Sequence, residues 1–415
     1  MAKSEEEKLM KLKAFAERTL ENHRHPHIGE FFKRCADEEA PVFDPSYMLT
    51  EKTFYRAPRR RDLNGLDIAC LGLPMDVSAP YHGGQKFAPD ALREASHNHG
   101  PIHDRWNVIP FDMCNIADYG NVDFSRPHDT EQTVEDIYNA ICEIDDADVV
   151  PFSVGGVHTV SHPVLKALGR KEPIGLIHID AHADTMTGDM QGEDLSDGAV
   201  FRNAVLDQGI DPNRTVQIGI RGFATHYWDF SHDSGMRVIT MDDFDEMGLP
   251  AVIAEVHKVI GDGPCYLTLD SDGIDATYLP GTQLPEPFGL TSREVRNLIR
   301  GFRGIDMVGA DIVELCPLVD VRGTSANLMS ALGFEILTLL SEARVKRTGT
   351  INKTSLPHGH ALDYQKLPLV GIWNDDIMIQ QQTNIRLSNA SKEEGVNAGD
   401  DVSVMTGVTQ QVSNT

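Results

Sequence analysis

Short apolar runs alternate with helix-forming stretches through the middle of the chain. Apolar runs of this length predict buried strands, and their alternation with helices predicts a mostly parallel sheet covered on both faces. The predicted strands are residues 67–73, 149–154, 174–179, 215–220, 237–240, 265–269 and 307–313. Helices are predicted from about Pro89, up to about Leu168, and over residues 325–343. The fold class that follows is α/β, with three α/β/α layers.

The two ends of the chain lack this alternation. Residues 5–21 mix apolar and charged positions and predict an amphipathic helix, which the sequence His-Pro-His around Pro26 breaks. Past Arg347 the pattern fades, and residues 384–415 are rich in Ser, Asn and Gly. We predict an N-terminal arm over 1–65, a main domain over 66–370 and a C-terminal tail over 371–415. The arm is a candidate for contact with a neighbouring subunit.

Histidine and aspartate side chains follow three of the predicted strands. Parallel strands bring their carboxyl ends to one edge of a sheet, and residues two apart point the same way in extended chain. The candidate metal ligands are His158, Asp180, His182, Asp184, Asp270 and Asp272. Taken singly, such an Asp could cap a helix and such a His could be a polar surface residue. Taken together, after three apolar runs, they predict a metal site.

The ligand types narrow the choice of metal. No cysteine is among the six, which argues against a structural zinc site. Imidazole added to carboxylates favours Mn²⁺, Ni²⁺, Co²⁺ or Fe²⁺ over Mg²⁺ or Ca²⁺. Six ligands are too many for one small ion and suit two ions that share bridging carboxylates.

At this point the chain resembles the ureohydrolases, the arginase–agmatinase family. The resemblance runs from about Asp67 to about Ala343, and the agmatinase-like members are more similar than arginase itself. It rests on motifs that occur in the family's order: Gly72-Leu73-Pro74-Met75-Asp76, Gly155-Gly156-Val157-His158, Asp180-Ala181-His182-Ala183-Asp184, Gly219-Ile220-Arg221-Gly222, Asp270-Ser271-Asp272-Gly273-Ile274-Asp275 and Asp311-Ile312-Val313-Glu314.

The resemblance implies an arginase-like fold and a role for each ligand. It implies that Asp180 and Asp270 bridge two metal ions, Mn²⁺ or Ni²⁺. One ion would be completed by His158 and Asp184, and the other by His182 and Asp272. Water activated between the ions would attack a guanidinium carbon and release urea. Glu314 matches the glutamate that holds the guanidinium, a role that suits a carboxylate.

Three positions depart from the family's pattern. Val157 stands where the family usually has Asp, and Ala276 where Pro usually follows the third Asp of its motif. The pair Asp197-Gly198 stands where the family has His-Gly, whose His serves as a proton shuttle. A different group must then protonate the leaving amine, and Asp197 and His226 are the two candidates.

The segment between Asp184 and Gly198 bears on the substrate. It contains Asp189, Glu193, Asp194 and Asp197 and has no Lys or Arg. The resemblance places this segment at the entrance of the site, and an acidic entrance repels a substrate carboxylate and attracts a cation. This favours agmatine, free guanidine, or a substituted guanidine or biguanide over arginine. The alternative, weighed equally, is a solvated loop of an acidic protein.

Composition sets the remaining limits. The 415 residues carry a net charge of −26, which argues against nucleic acid as a partner. No apolar run approaches the ~20 residues of a membrane span, and residues 1–7 show no apolar signal core. The six cysteines form no C-x-x-C pair, which suits reduced thiols. We therefore expect a cytoplasmic protein. The resemblance to the ureohydrolases implies a homo-oligomer, a trimer or hexamer, with a hetero-oligomer as the alternative.

The function predicted from the sequence is a binuclear metal hydrolase that cleaves a guanidino C–N bond of a small cationic substrate. A second hypothesis keeps the fold and acts on formimino or acyl-amine bonds. A third is a non-catalytic partner subunit of a hetero-oligomer. The third ranks last because such subunits normally lose metal ligands, and all six are present here.

Overall fold

The fold is described from a computed structural model, which covers residues 2–17, 26–37, 52–79, 81, 83–186, 195–222 and 228–351. Contacts divide the chain into Met1–Tyr364 and Gln365–Thr415, and all described residues lie in the first unit. The predicted tail, most of the acidic loop and His226 lie outside the described residues. The domain boundaries at 65 and 370 stay predictions.

In the described part of the chain, eight parallel strands form one sheet. They are β1 Ile68–Leu73, β2 Ile116–Asn121, β3 Val150–Gly155, β4 Ile174–Ile179, β5 Ile210–Ile220, β6 Arg237–Thr240, β7 Cys265–Asp270 and β8 Met307–Val313. Their order across the sheet is β2-β1-β3-β8-β7-β4-β5-β6. The predicted parallel α/β sheet is confirmed.

Helices connect the strands, as parallel pairing requires. The α-helices, in chain order from α1 to α12, are Ala2–Ala16, Pro26–Asp37, Ala88–Ser96, Pro110–Met113, Thr130–Asp146, Ser161–Gly169, Val200–Leu206, Asp229–Ser234, Met241–Met247, Leu249–Ile260, Ser292–Gly301 and Thr324–Thr348. Short 3₁₀ turns occupy Phe54–Arg56, Gln85–Phe87, His158–Val160, Asp197–Ala199 and Ser271–Gly273. None of the described helices is long and apolar enough to cross a membrane.

The sheet is covered on both faces, because successive strand residues point to opposite sides. Along β4, Leu176 packs into one hydrophobic cluster and Ile177 into a second. The first cluster also contains Val164 of α6, and the second contains Leu337 of α12. The strands are buried on both faces, which explains why they read as continuous apolar runs. The three predicted layers are confirmed.

Strand β2 was missed in the sequence. Its segment Ile-Ala-Asp-Tyr-Gly-Asn has only two apolar residues before Asp118, so no apolar run marks it. Asp118 is fully buried at this sheet edge and forms an ion pair with Arg93 of α3 at 2.8 Å. A second pair joins it to Arg59 at 3.1 Å. The strand therefore combines two buried apolar residues with a buried ion pair, and its apolar run is too short to mark it.

The N-terminal prediction was partly wrong. The first helix spans Ala2–Ala16 rather than residues 5–21, and its apolar side chains Leu9 and Phe15 are exposed. Pro26, which was expected to break this helix, begins α2 instead, because proline fits the first turn, where its missing N–H costs nothing. Phe31 of α2 is fully buried in the core.

The buried Arg93–Asp118 pair predicts a large stability loss on truncation. Arg93→Ala leaves a buried carboxylate with one partially exposed arginine, and we expect unfolding free energy to fall by about 3 kcal/mol. Urea denaturation followed by circular dichroism, at fixed protein concentration, measures this. The control is Arg126→Ala, whose pair with Asp129 is exposed and should cost less than about 1 kcal/mol. Equal losses in the two variants would contradict the role of the buried pair.

Candidate metal centre

Three strands, β3, β7 and β4, carry the predicted ligands at their carboxyl ends, and β8, which lies between β3 and β7, ends beside Glu314. After β3 the chain turns at Gly155 and Gly156 before the His158 turn begins. Gly156 is required there, because a Cβ atom would lie 1.6 Å from the backbone oxygen of Met75. This backbone contact brings His158 to the same edge of the sheet as the carboxylates that follow β4 and β7.

The first cluster surrounds His158. Its Nδ1 atom lies 3.2 Å from Asp180 Oδ2, 2.9 Å from Asp184 Oδ2 and 3.1 Å from Asp270 Oδ2. All four residues are buried. Asp184 has a φ of 50°, a backbone conformation that residues other than glycine rarely adopt. Strained backbone of this kind is held by its surroundings, and it occurs often at functional sites.

The second cluster shares Asp180 with the first. It joins Asp180, His182 and Asp272, whose ligand atoms lie within 4.8 Å of one another. His182 Nδ1 is 3.1 Å from Asp272 Oδ2 and 3.7 Å from Asp180 Oδ1. The structure thus brings all six predicted ligands together in two adjoining groups.

These residues fit divalent metal ions. Nδ1 of His158 is buried and makes no hydrogen bond with the described residues, although three carboxylates lie close to it. Burial, followed by the charge of Asp180, raises the pKa of Asp184 to about 7. Burial, followed by the charges of Asp272 and Asp180, raises the pKa of Asp270. Within the described chain no Lys or Arg forms an ion pair with these carboxylates, so a bound cation would relieve their mutual repulsion.

A further set of residues orients the ligands, and sequence reasoning did not include them. The Nε2 atom of His178 lies 2.6 Å from Asp180 Oδ2. Its Nδ1 atom lies 3.0 Å from the side-chain nitrogen of Gln217. Because that amide is a donor, the Nε2 atom of His178 carries the proton and donates to Asp180. The period of two along β4 placed His178 on the same side as Asp180, which was an available signal.

The two histidine ligands have comparable partners. His158 Nε2 is 3.0 Å from the hydroxyl oxygen of Thr268, and His182 Nε2 is 3.4 Å from Glu286 Oε1. Such partners fix the ring orientation of metal-binding histidines. Val157 is fully buried among apolar residues, so the orientation of His158 comes from Thr268 instead of a carboxylate at position 157.

Glu314 lies beside the metal cluster, at the end of β8. Its Oε1 accepts a hydrogen bond from the backbone N–H of His158 at 2.6 Å, and its Oε2 accepts from Gln85 at 3.1 Å and Gln283 at 2.9 Å. Its φ of 61° is a second strained position in the site. Burial, followed by the negative charge of Asp197, raises the pKa of Glu314 to about 8.

Asp197 also comes to this site, whereas His226 lies outside the described residues. Asp197 Oδ1 accepts hydrogen bonds from Thr159 Oγ1 at 2.6 Å and from the Thr159 backbone N–H at 3.2 Å. Burial is the main cause that raises its pKa. Proton delivery to the leaving amine by Asp197 or His226 stays a prediction.

Asp275 does not belong to either metal cluster. It accepts hydrogen bonds from the backbone N–H groups of Thr277 at 2.9 Å and Gly289 at 3.0 Å, and so caps its loop. Arg221 holds the same loop, because its guanidinium donates to the backbone oxygens of Asp272 at 2.7 Å and Glu286 at 2.9 Å.

This fold and the residues of this cluster are those of a hydrolase of the ureohydrolase class. The model of the Arginase family matches residues 66–338, and the chain belongs to that family, in its agmatinase-like branch. The predicted family and the predicted arginase-like fold are both confirmed.

Individual relatives are similar over most of their length. Guanidinopropionase of Pseudomonas aeruginosa is 37% identical, over 71% of this chain and 93% of that protein. Mitochondrial agmatinase of Gallus gallus is 36% identical, over 69% of this chain and 84% of that protein. The solved structure of proclavaminate amidino hydrolase from Streptomyces clavuligerus has a TM-score of 0.68 and 30% identity, covering 72% of this chain and 99% of that one.

The ligand assignment predicts a metal-dependent rise in melting temperature. Saturating Mn²⁺ or Ni²⁺ should raise the melting temperature of the chelator-treated protein by about 5 °C. Asp272→Ala should lose most of this rise, because the second ion then lacks the only carboxylate that it does not share with the first. Differential scanning calorimetry and elemental analysis of bound metal measure both quantities. The matched control is Asp275→Ala, which should keep the rise, and a full rise with unchanged metal content in Asp272→Ala would refute the assignment.

Proposed function

We propose that this protein hydrolyses a guanidino C–N bond and releases urea together with an amine or ammonia. The observation that carries the proposal is the buried carboxylate of Glu314 beside two His/Asp clusters that share Asp180. A guanidinium ion is planar and cationic, and a carboxylate is its natural hydrogen-bonding partner. The Glu314 carboxylate has no ion pair with Lys or Arg among the described residues, which leaves it available to a cationic substrate.

We propose that two divalent ions, Mn²⁺ or Ni²⁺, bind this site. His158, Asp180, Asp184 and Asp270 would hold one ion, and Asp180, Asp270, His182 and Asp272 the other. Such ions supply Lewis-acid activation of water, by lowering its pKa from about 15.7 towards about 7. Both metals accept imidazole and carboxylate ligands, so the ligand set suits either one.

The protein's own residues would bind and orient the guanidinium. Glu314 supplies the acceptor oxygens, and hydrogen bonds from Gln85, Gln283 and the His158 backbone N–H hold its carboxylate in one orientation. Preorganised groups of this kind lower the barrier because they need not reorient during the reaction. The His158 contact also couples the position of the substrate group to that of a metal ligand.

The relatives' names support the guanidino reaction over the formimino alternative. They include a guanidinopropionase and a guanidinobutyrase, each at least 36% identical. A solved formimidoylglutamase is 23% identical, which supports only a shared fold. Agmatine, free guanidine and substituted guanidines or biguanides remain the proposed substrates. The cytoplasmic location and the trimeric or hexameric assembly stay predictions.

A urea-release assay tests this function. Metal-loaded protein should form urea from at least one of guanidine, agmatine, 4-guanidinobutanoate, arginine and metformin. Glu314→Gln should lower kcat/KM by about a hundredfold, because the amide has the same size but lacks the charge that binds the cation. The matched control is Glu135→Gln, an exposed position on α5, which should not change kcat/KM. No urea from any of these compounds would refute the proposed reaction.

A further inference from the structure

The hydrogen bonds that Glu314 already makes limit what it can offer a substrate. An ionised carboxylate has about four acceptor positions. Three are used by the His158 backbone N–H, Gln85 and Gln283. A guanidinium ion carries five or six N–H donors, so Glu314 alone leaves most of them unpaired. Unpaired donors in a buried site are costly, and other acceptors are therefore required.

Asp197 has the acceptor oxygen that Glu314 lacks. Three donors crowd its Oδ1 atom: the Thr159 backbone N–H at 3.2 Å, Thr159 Oγ1 at 2.6 Å and Ser78 Oγ at 3.1 Å. Its Oδ2 atom is shielded from solvent and accepts no hydrogen bond within the described chain. The side-chain oxygen of Gln85 is likewise shielded from solvent and accepts no hydrogen bond from the described residues. The side-chain NH2 group of Gln85 donates to Glu314.

The charges of the two carboxylates point to a cation as well. Glu314 Oε1 and Asp197 Oδ1 accept hydrogen bonds from consecutive backbone N–H groups, those of His158 and Thr159, so the two carboxylates lie close to each other. Neither forms an ion pair with a Lys or Arg in the part of the chain that the structure describes. Two carboxylates of this kind are costly to bury without a counter-ion. A guanidinium bound between them would supply the missing charge and the missing donors together.

We propose that Asp197 Oδ2 and Glu314 form a two-carboxylate clamp for the guanidinium of the substrate. The free side-chain oxygen of Gln85 is a further acceptor for the same ion. This inference rests on the proposed function and assigns Asp197 a substrate-binding role. The clamp selects a cation with N–H groups on more than one side, which describes guanidine and singly substituted guanidines. A neutral planar amide of the same size, such as urea, gains little from the second carboxylate.

Substitution of Asp197 tests the clamp through a difference between a cation and its neutral counterpart. Asp197→Asn keeps the size of the side chain and removes the charge. We expect the KM of the guanidino substrate, or the inhibition constant of guanidinium, to rise about tenfold to a hundredfold. The inhibition constant of urea should stay within about twofold of the wild-type value. Ammonia or amine release measures both, so added urea does not interfere with detection.

Two further variants complete the design. Asp197→Glu keeps the charge and should bind guanidinium more tightly than Asp197→Asn does. Asp129→Asn is the matched control, because Asn can still cap α5 and the residue lies outside the site; all constants should equal those of the wild type. A structural role for Asp197 predicts a different result, in which guanidinium and urea weaken by the same factor.

The outcomes separate this inference from the proposed function. If the wild type forms urea and Asp197→Asn binds guanidinium as tightly as the wild type does, the clamp is wrong while the reaction stands. If guanidinium and urea weaken equally, the clamp is also wrong. If the wild type forms urea from no guanidino compound, the proposed function itself fails. Selective loss of guanidinium binding supports the clamp.

Discussion

Mutual repulsion among buried carboxylates is the constraint on which this site depends. Asp180, Asp184, Asp270 and Asp272 meet at the carboxyl ends of adjacent strands, where the side chains of three histidines, His158, His178 and His182, contact them. Such a group is unfavourable without counter-charge, because burial and proximity both oppose ionisation. The strands that carry it are buried and apolar, and their packing energy opposes the separation of the cluster. Bound cations would turn the same cluster into a stabilising feature.

The central part of the fold was predictable because its sequence signals are strong. Strands buried on both faces need continuous apolar runs, and β4 and β7 show them together with ligands spaced by two residues. The edge strand β2 was not predictable in this way, because a buried ion pair at Asp118 follows only two apolar residues. Helix α2 was missed for another reason: Pro26 was interpreted only as a helix breaker, although proline also begins helices.

Some residues of the candidate site could likewise be predicted from the sequence, and others could not. The candidate metal ligands follow apolar strands, and their spacing within the sequence pointed to them. His178 and Thr268 lie two residues before Asp180 and Asp270, on β4 and β7, but Gln85, Gln217 and Gln283 come from other segments and carry no local pattern. Only the fold brings them to the site, and a neutral amide or hydroxyl is too common in loops to be recognised beforehand. Asp197 was noted as a departure from a family motif, but its free oxygen and its proximity to Glu314 became visible only in three dimensions.

The hydrogen bond between Glu314 and the backbone N–H of His158 has a consequence for how substrate preference can change. A second bond joins the Glu314 N–H to the backbone oxygen of Gly156 at 2.9 Å, so the two strand ends form one unit. Neither end can shift without moving the other, and substitutions there would disturb metal and substrate at once. Asp197 stands in a separate turn, and its carboxylate accepts hydrogen bonds from Ser78 and from both the side chain and the backbone N–H of Thr159. If the proposed clamp is correct, exchanging residues of that turn would change substrate preference while the candidate metal centre keeps its geometry.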